Sequence, residues 1–202
     1  MQISRMIEAI QRALKIDVDG KAGPDTWAAI YAALVSKNNG NPAAPVSVSA
    51  VDARSEKNIA TLLLPVQPYA RLLVQKAAAT GIDIKIISGS RSYAEQDALY
   101  AQGRTTAGKI VTRAKGGYSN HNFGIAFDIG VFSGSNYLGE STKYKAVGAL
   151  GLDLGLEWGG NWTSIVDQPH FQLRPSWAET LTERQMLTEM RRRVADGVDL
   201  YA

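Results

Sequence analysis

The two histidines are the residues of this chain with the most specific chemistry. The sequence has 202 residues and no cysteine. His121 is followed by Asp128 in one short segment, and His170 is preceded by Asp167 in another. A catalytic zinc ion takes about three ligands of the His, Asp, Glu or Cys type and keeps a further position for water. His121, Asp128 and His170 supply such a set and leave Asp167 as a base, which predicts a zinc hydrolase.

The residues around Asp128 favour a metal over an ordinary pair. A histidine near an aspartate is more often hydrogen-bonded than a ligand. A carboxylate buried on a strand without a partner is costly, however, and a cation beside Asp128 would remove that cost. In residues 170–173, alternation likewise turns His170 away from the core. Strand alternation separates Asp128 and Ala126 from a set of apolar neighbours on the other face, namely Ile125, Phe127, Ile129 and Val131.

Five short segments between about residues 55 and 175 then form a recognisable series. They are 88–92 (SGSRS), 95–100, 119–128, 155–162 (GLEWGGNW) and 167–171 (DQPHF). In this order they resemble the zinc peptidases of the D-Ala-D-Ala carboxypeptidase family, in the branch that holds phage L-alanyl-D-glutamate endopeptidases. The resemblance implies a zinc enzyme that cleaves peptidoglycan.

The resemblance also implies roles for particular residues. The family's zinc ligands carry over to His121, Asp128 and His170, and its catalytic base carries over to Asp167. Carboxypeptidase and dipeptidase members tend to have Glu at the base position and Trp before the last ligand. Asp167 and Pro169 therefore favour the endopeptidase branch. Asp167 and His170 can share one site only if the chain turns between them, and Pro169 is consistent with such a turn.

Arg91 and Gln96 are candidate substrate-binding residues. Arg91 follows an apolar run and a small turn, and arginine binds carboxylates bidentately. The alternative is a solvated or structural arginine. Gln96 is assigned to the site by the resemblance alone. Ser92 and Glu95 have the spacing of a capping box, so Glu95 is interpreted as a helix cap.

Ser119 and Trp158 complete the candidate site. Ser119, two residues before a ligand, either positions the metal or the substrate or forms a turn. Trp158 and Trp162 flank two glycines. Large aromatic residues mostly serve packing, but they also line ligand grooves. Both interpretations of each residue remain open at this point.

Composition limits the possible partners. The net charge is +3, with 45% hydrophobic and 20% charged residues. This mild basic balance suits an anionic cell wall, whereas nucleic-acid binding would need a clustered basic stripe that the sequence lacks. No apolar run approaches transmembrane length, and the N-terminus lacks the apolar region of a secretory signal. We expect a monomer made in a host bacterial cytoplasm that reaches the wall after release to the periplasm.

The first residues form a separate pattern. Apolar residues recur at helical spacing on both sides of a turn at residues 17–27. This pattern resembles a small helical peptidoglycan-binding module, although Ala22 stands where that module has an aromatic residue. The alternative is a plain helical hairpin. We predict a binding module at 1–36, a polar linker at 37–50 and a catalytic domain at 51–202.

The remaining pattern predicts an α+β fold. Helices are expected at 55–64, 68–80, 93–102 and around 143–150, with strands at 82–88, near Asp128 and near His170. Because helices come first and the strands are short, α+β is favoured over doubly wound α/β. The sequence thus predicts an endolysin: a zinc L-alanyl-D-glutamate endopeptidase. The alternatives are a D-Ala-D-Ala carboxypeptidase and a non-catalytic zinc-containing wall-binding protein.

Overall fold

The fold is described from a computed structural model, in which residues 3–21, 26, 50–163 and 165–201 are placed. The chain divides into two compact units, residues 1–47 and 48–202. The predicted division at 36 and 50 stays a prediction, because residues 27–49 lie outside the described part. The second helical pattern, after the turn at residues 17–27, lies outside it as well.

The larger unit mixes helices with one small sheet. Its strands are β1 (Asp83–Ser88), β2 (Ala126–Ser133), β3 (Asn136–Leu138), β4 (Glu157–Trp158) and β5 (His170–Gln172). Short 3₁₀ helices cover Asn120–Phe123, Gly159–Asn161 and Ser176–Ala178. The described α-helices of this unit are Ala53–Ile59, Gln67–Ala79, Tyr93–Ala101, Lys143–Asp153 and Glu183–Ala195.

The sheet is antiparallel and has the order β1-β2-β5-β4, with β3 paired to β2. Asp128 lies opposite His170 in the pairing of β2 with β5. Ser88 lies opposite Asp128 in the pairing of β1 with β2, after a register shift at Ile86. The predicted α+β class is confirmed, and the sheet brings the ends of three strands to one place.

The core lies on the sheet face that the alternation predicted. Ile125, Phe127, Ile129 and Val131 are fully buried. Phe127 and Phe171 are cross-strand partners whose rings stack at 5.9 Å between centroids. Burying such side chains contributes roughly 1.5–3 kcal/mol each. This packing fixes which residues of β2 and β5 face the site.

Hydrogen bonds tie the helix Ala53–Ile59 to β1. Ser55 Oγ accepts from the Ile86 amide at 2.9 Å, and Asn58 Nδ2 donates to the Ile86 carbonyl at 2.7 Å. The side chain of Asp52 caps the start of this helix by accepting from the Ser55 amide. The segment after β1, which approaches the site, is thereby held in place.

The predicted capping box at Ser92 and Glu95 is confirmed. The Ser92 side chain accepts from the Glu95 amide, and Glu95 accepts from the Ser92 amide at 2.7 Å. Thr182 and Gln185 form a second capping box at the start of the last helix. Both boxes begin helices that border the site.

The described part of the smaller unit contains the helix Ile3–Leu14 and the turn after it. Gln11 is buried, and its amide donates to Asp19 Oδ1 at 2.7 Å and to Thr26 Oγ1 at 3.0 Å. The Gly20 amide donates to Gln11 Oε1. Within the described residues of the whole chain, no helix has both the length and the apolar character needed to cross a bilayer.

Candidate metal centre and active site

The three predicted ligands meet at one point. His121 Nε2 lies 3.2 Å from Asp128 Oδ1 and 3.3 Å from His170 Nδ1. His170 Nδ1 lies 3.3 Å from Asp128 Oδ1. Both imidazoles are buried. Three potential ligand atoms therefore form a nearly equilateral triangle.

The outer nitrogens of both imidazoles show which atoms face this triangle. His121 Nδ1 is 2.8 Å from the Gly89 carbonyl, and His170 Nε2 is 2.9 Å from Gln172 Oε1. An oxygen acceptor at these positions takes the ring N–H, so the inner nitrogens carry lone pairs. While both imidazoles are neutral, two lone pairs and a carboxylate oxygen converge with no hydrogen between them. A cation satisfies all three.

The spacing also fits zinc in particular. Zinc–ligand distances near 2.0–2.1 Å in a tetrahedron imply ligand–ligand separations of roughly 3.3 Å. The observed sides of the triangle are 3.2, 3.3 and 3.3 Å. A site with two nitrogens and one oxygen on three protein ligands leaves a position for water, as catalytic zinc sites do. The donor set and its dimensions therefore fit the predicted cofactor.

Burial and charge affect the protonation of this cluster. Burial raises the pKa of the Asp128 carboxyl, but His121 and His170 outweigh burial and hold that pKa well below its usual range. Burial lowers the pKa of the His170 imidazole, but the hydrogen bond with Asp128, the hydrogen bond with Gln172 and the charges of Asp128 and Asp167 together outweigh burial and raise that pKa. Metal ligands must be deprotonated, so metal binding at this site releases protons.

The SGSRS segment contains a glycine at a position that has no room for a side chain. Its carbonyl accepts from His121, and a Cβ at this position would collide with the Asn58 carbonyl and Thr61 Oγ1. Glycine therefore lets the end of β1 pack close to the helix Ala53–Ile59. In this position the Gly89 carbonyl reaches the His121 imidazole.

Arg91 lines the cavity and holds the other side of Asp128. Its Nη2 donates to Asp128 Oδ2 at 3.0 Å and to Ser88 Oγ at 3.1 Å. Its Nη1 donates to Gln96 Oε1 at 3.0 Å. Asp128 Oδ2 is therefore occupied, and Oδ1 is left toward the imidazoles. Contact of Arg91 with substrate stays a prediction.

Gln96 lies behind Arg91. It is fully buried, and its Nε2 donates to Thr112 Oγ1 and to the Ala114 carbonyl. Among the described residues it is absent from the cavity wall, which Arg91 and Ser119 help to form. The structure thus brings Gln96 to the site as a support for Arg91, and its assignment to substrate binding remains only a prediction.

Asp167 lies in the predicted turn. The His170 amide donates to the Asp167 carbonyl at 3.2 Å, which reverses the chain and turns both residues to the same cavity. A Cβ on Gly159 would lie 2.5 Å from the Asp167 carbonyl oxygen, so only glycine fits beneath this turn. Burial and the nearby Asp128 charge raise the pKa of the half-buried Asp167 carboxyl. A raised pKa favours proton transfer, and the role of Asp167 as the base stays a prediction.

Ser119 and Trp158 both line the cavity. Ser119 is half-buried and precedes the 3₁₀ helix that carries His121. Trp158 is buried and donates from Nε1 to the Gln168 carbonyl at 2.8 Å, which holds the Asp167 turn. Trp162 also lines the cavity, with its ring 4.8 Å from the His170 ring. Substrate contacts of Ser119 and Trp158 remain predictions.

The sequence did not reveal the polar residues on the outer side of the His170 ring, away from the ligand atoms. Gln172 is fully buried and bonded to His170, and Asn120 and Glu157 bond to Gln172 in turn. One signal was available, because residues two apart on a strand share a face and Gln172 follows His170 by two positions.

Comparison with known proteins decides the family. The chain is 41% identical over 123 residues to the peptidoglycan L-alanyl-D-glutamate endopeptidase CwlK of Bacillus subtilis (strain 168), covering 55% of this chain and 72% of the relative. A sequence profile of peptidase family M15, described as D-alanyl-D-alanine carboxypeptidase, matches residues 112–173, which include the three predicted ligands and Asp167. The chain belongs to peptidase family M15. The predicted enzyme class, a metallopeptidase, is confirmed at the level of this family.

Two further proteins resemble this chain. The chain is 29% identical over 123 residues to the L-alanyl-D-glutamate peptidase of Listeria phage A118, covering 59% of this chain and 41% of the phage protein. The crystal structure of the Serratia marcescens L-Ala D-Glu endopeptidase ChiX aligns with a TM-score of 0.48 and 23% identity, over 64% of this chain and 93% of ChiX.

Proposed function

We propose that this M15 protein is a zinc-dependent endopeptidase that cleaves the L-alanyl-D-glutamate bond of peptidoglycan stem peptides. The observation that carries the choice of bond is the 41% identity to CwlK over 72% of that protein. The phage A118 relative has the same bond in its name. The convergence of His121, Asp128 and His170 supports the zinc ion.

The chemistry of the site is hydrolysis of an amide. His121, Asp128 and His170 would hold the zinc ion, which would supply Lewis acidity and lower the pKa of water to about 7. Asp167, as a carboxylate, accepts a proton from the attacking water and passes it to the leaving amine. The turn from Asp167 to His170 keeps this carboxylate in the same cavity as the ligands. Trp158 fixes that turn through the Gln168 carbonyl.

Four residues are proposed to serve the substrate. Arg91 presents a cation to a stem peptide that is rich in carboxylates, and Gln96 holds the Arg91 guanidinium. Ser119 and Trp158 contribute polar and aromatic surface to the cavity wall. An extended peptide is thereby oriented with its scissile bond between the metal ligands and Asp167.

The biological setting is proposed to be wall lysis by a phage-type endolysin. The relative from Listeria phage A118 supports this setting. We propose that residues 1–36 bind the wall, that 37–50 link them to the catalytic domain at 51–202, and that the protein acts as a monomer. Synthesis in the host cytoplasm and release to the periplasm complete the proposal.

Mass spectrometry of digested peptidoglycan tests the bond. Purified sacculi treated with the protein should gain L-Ala C-termini and D-Glu N-termini. Release of free D-Ala from pentapeptide stems, with no internal cleavage, would instead establish the carboxypeptidase alternative. Binding to sacculi with no product of either kind, in zinc-loaded protein, would establish the non-catalytic alternative.

A further inference from the structure

We propose that Gln172 is a positioning residue of the metal centre, whose amide oxygen sets the orientation and tautomer of His170. This inference rests on the proposed zinc function and deepens it. Gln172 is fully buried on β5 and shares a strand face with His170. Its Oε1 lies 2.9 Å from His170 Nε2, on the side of the ring away from the ligand atoms.

One carboxylate fixes the direction of the Gln172 amide. Gln172 Nε2 donates to Glu157 Oε2 at 2.5 Å, and Glu157 is the direct cross-strand partner of Gln172 in β4 and β5. An ionised carboxylate can only accept hydrogen bonds. The amide nitrogen must therefore face Glu157, which leaves the amide oxygen toward His170.

A second carboxylate enforces the same direction. Asn120 Nδ2 donates both to Gln172 Oε1 and to Glu183 Oε1. Because Glu183 can only accept, the amide nitrogen of Asn120 must lie on this side. Its second N–H then requires an acceptor, and Gln172 Oε1 provides it. Asn120 directly precedes the ligand His121 in the sequence, so this set of bonds is also joined to the second ligand through the main chain.

Arg174 closes the set into a ring. Its Nε donates to Glu157 Oε1, and its Nη2 donates to Glu183 Oε2 at 2.8 Å. The Arg174 side chain is only 16% exposed, so a mostly buried guanidinium holds two carboxylates that remain partly exposed. Two carboxylates, two amides and one guanidinium thus support a single imidazole. We call these five residues the Gln172 ring: Asn120, Glu157, Gln172, Arg174 and Glu183.

The Gln172 ring has a chemical consequence at His170. An amide oxygen at His170 Nε2 requires an N–H there, so Nδ1 is left with a lone pair facing Asp128 and His121. With the amide turned over, its N–H groups would face Nε2 and place the ring proton on Nδ1, where it would exclude a metal. Partners outside the ligand set commonly change metal affinity about 10–100-fold.

Zinc affinity measured by chelator competition tests this proposal without relying on turnover. Gln172→Met keeps the volume and removes the hydrogen bonds, and should weaken zinc binding about 10–100-fold. Its Co²⁺-loaded form should also have an altered visible absorption spectrum. The paired exchange Gln172→Glu with Glu157→Gln keeps an oxygen toward His170 and a hydrogen bond between positions 157 and 172, and should bind zinc within about threefold of wild type. Gln67→Met is the matched control, because Gln67 is half-buried and bonds the Leu62 carbonyl outside the cavity wall.

The outcomes separate this proposal from the proposed function. Failure of the wild-type protein to bind zinc would overturn the proposed function itself. Normal zinc affinity in Gln172→Met, or equal losses in Gln172→Met and in the paired exchange, would overturn only the role of Gln172. If Gln172→Met does not fold, Glu157→Ala tests the same point, because the side chain of Glu157 is 37% exposed. It should weaken zinc binding about threefold to tenfold, and unchanged affinity would overturn the proposal.

Discussion

Asp128 and His170 lie directly opposite each other in the antiparallel pair of β2 and β5, with Asp128 Oδ1 3.3 Å from His170 Nδ1. Side chains alternate along a strand, so a slip of one residue would send one of them to the core face. The adjacent pair, Phe127 and Phe171, is stacked in the core and opposes such a slip. The metal centre therefore depends on a register that apolar packing fixes.

Removal of either imidazole should abolish metal binding. His121→Ala and His170→Ala each delete one corner of the ligand triangle, and we expect neither to retain zinc or turnover. Metal analysis of the purified variants measures this directly. In the wild-type protein a chelator should remove activity and added zinc should restore it. Active protein with no bound zinc would contradict the assignment of the site.

Asp167 and Asp128 should respond differently to substitution. Asp167→Ala should keep its zinc and its fold while turnover falls about 100-fold or more, because a general base is lost. Asp128→Ala should lose zinc affinity, since Asp128 Oδ1 is one of the three converging atoms. Parallel measurements of kcat and zinc content distinguish the two. Normal turnover by Asp167→Ala would rule out the proposed base.

Gly159→Ala should disturb the Asp167 turn. The added Cβ would lie 2.5 Å from the Asp167 carbonyl oxygen and 3.0 Å from His170 Cβ, so this turn must shift. We expect a cost of about 1–3 kcal/mol in the free energy of unfolding and at least a tenfold loss of kcat, because catalytic geometry is sensitive to small displacements. Gly139→Ala is the matched control, since its Cβ would meet only the ring of exposed Tyr137, at 3.3 Å. Equal kcat in both variants would contradict the role of Gly159.

The ion pair of Glu56 and Arg71 should stabilise the fold above acidic pH only. The hydrogen bonds from Arg71 are the largest influence on the Glu56 carboxyl, and its pKa is lowered from 4.5. Such a group contributes stability above its unfolded pKa, and that stability is lost as the pH falls through the folded pKa. Glu56→Gln should therefore lower the Tm by about 2–4 °C near pH 7, for about 1 kcal/mol.

Thermal melts of Glu56→Gln across the acidic range check this dependence. The difference in Tm from wild type should shrink as the pH falls through the lowered folded-state pKa of Glu56, because the carboxyl then becomes protonated in both states. Glu140→Gln, which alters an exposed carboxylate, serves as the control. A constant difference at all pH values would show that charge is not the source of the effect.

Deletion of residues 1–45 tests the proposed wall-binding module. If tethering only raises the local substrate concentration, the truncated protein should keep zinc binding and cleave small soluble muropeptides at nearly the normal rate. Its sedimentation with sacculi and its lysis of them should weaken. Equal losses on soluble and insoluble substrates, with a lower Tm, would instead indicate that the segment is a structural brace.

Local rules predicted much of the ligand set from the sequence. Alternation on β2 placed Asp128 opposite the core, and the turn before His170 was expected from Pro169. Both are confirmed, because burial of apolar side chains and the geometry of proline act over a few residues. The family resemblance then named the ligands as a set.

The supporting bonds could not be predicted in the same way. The Gln172 ring joins Asn120, Glu157 and Glu183 from three separate segments, and it depends on the register of β4 with β5. No periodic pattern in the sequence carries that information. Gln96 shows the same limit, since its sequence position does not reveal that it faces Arg91 from within the core.

The hydrogen bond from His121 to the main chain distinguishes the two imidazoles in evolution and design. His121 donates to the carbonyl of Gly89, an atom that every amino acid possesses, whereas His170 donates to a side chain. Substitution at position 172 changes the chemical type of the partner of His170, whereas substitution at position 89 keeps the carbonyl and can only move it, because an added Cβ would collide with Asn58 and Thr61. His121 is therefore held by backbone geometry, and His170 is held by a side chain through which metal preference and affinity can be tuned.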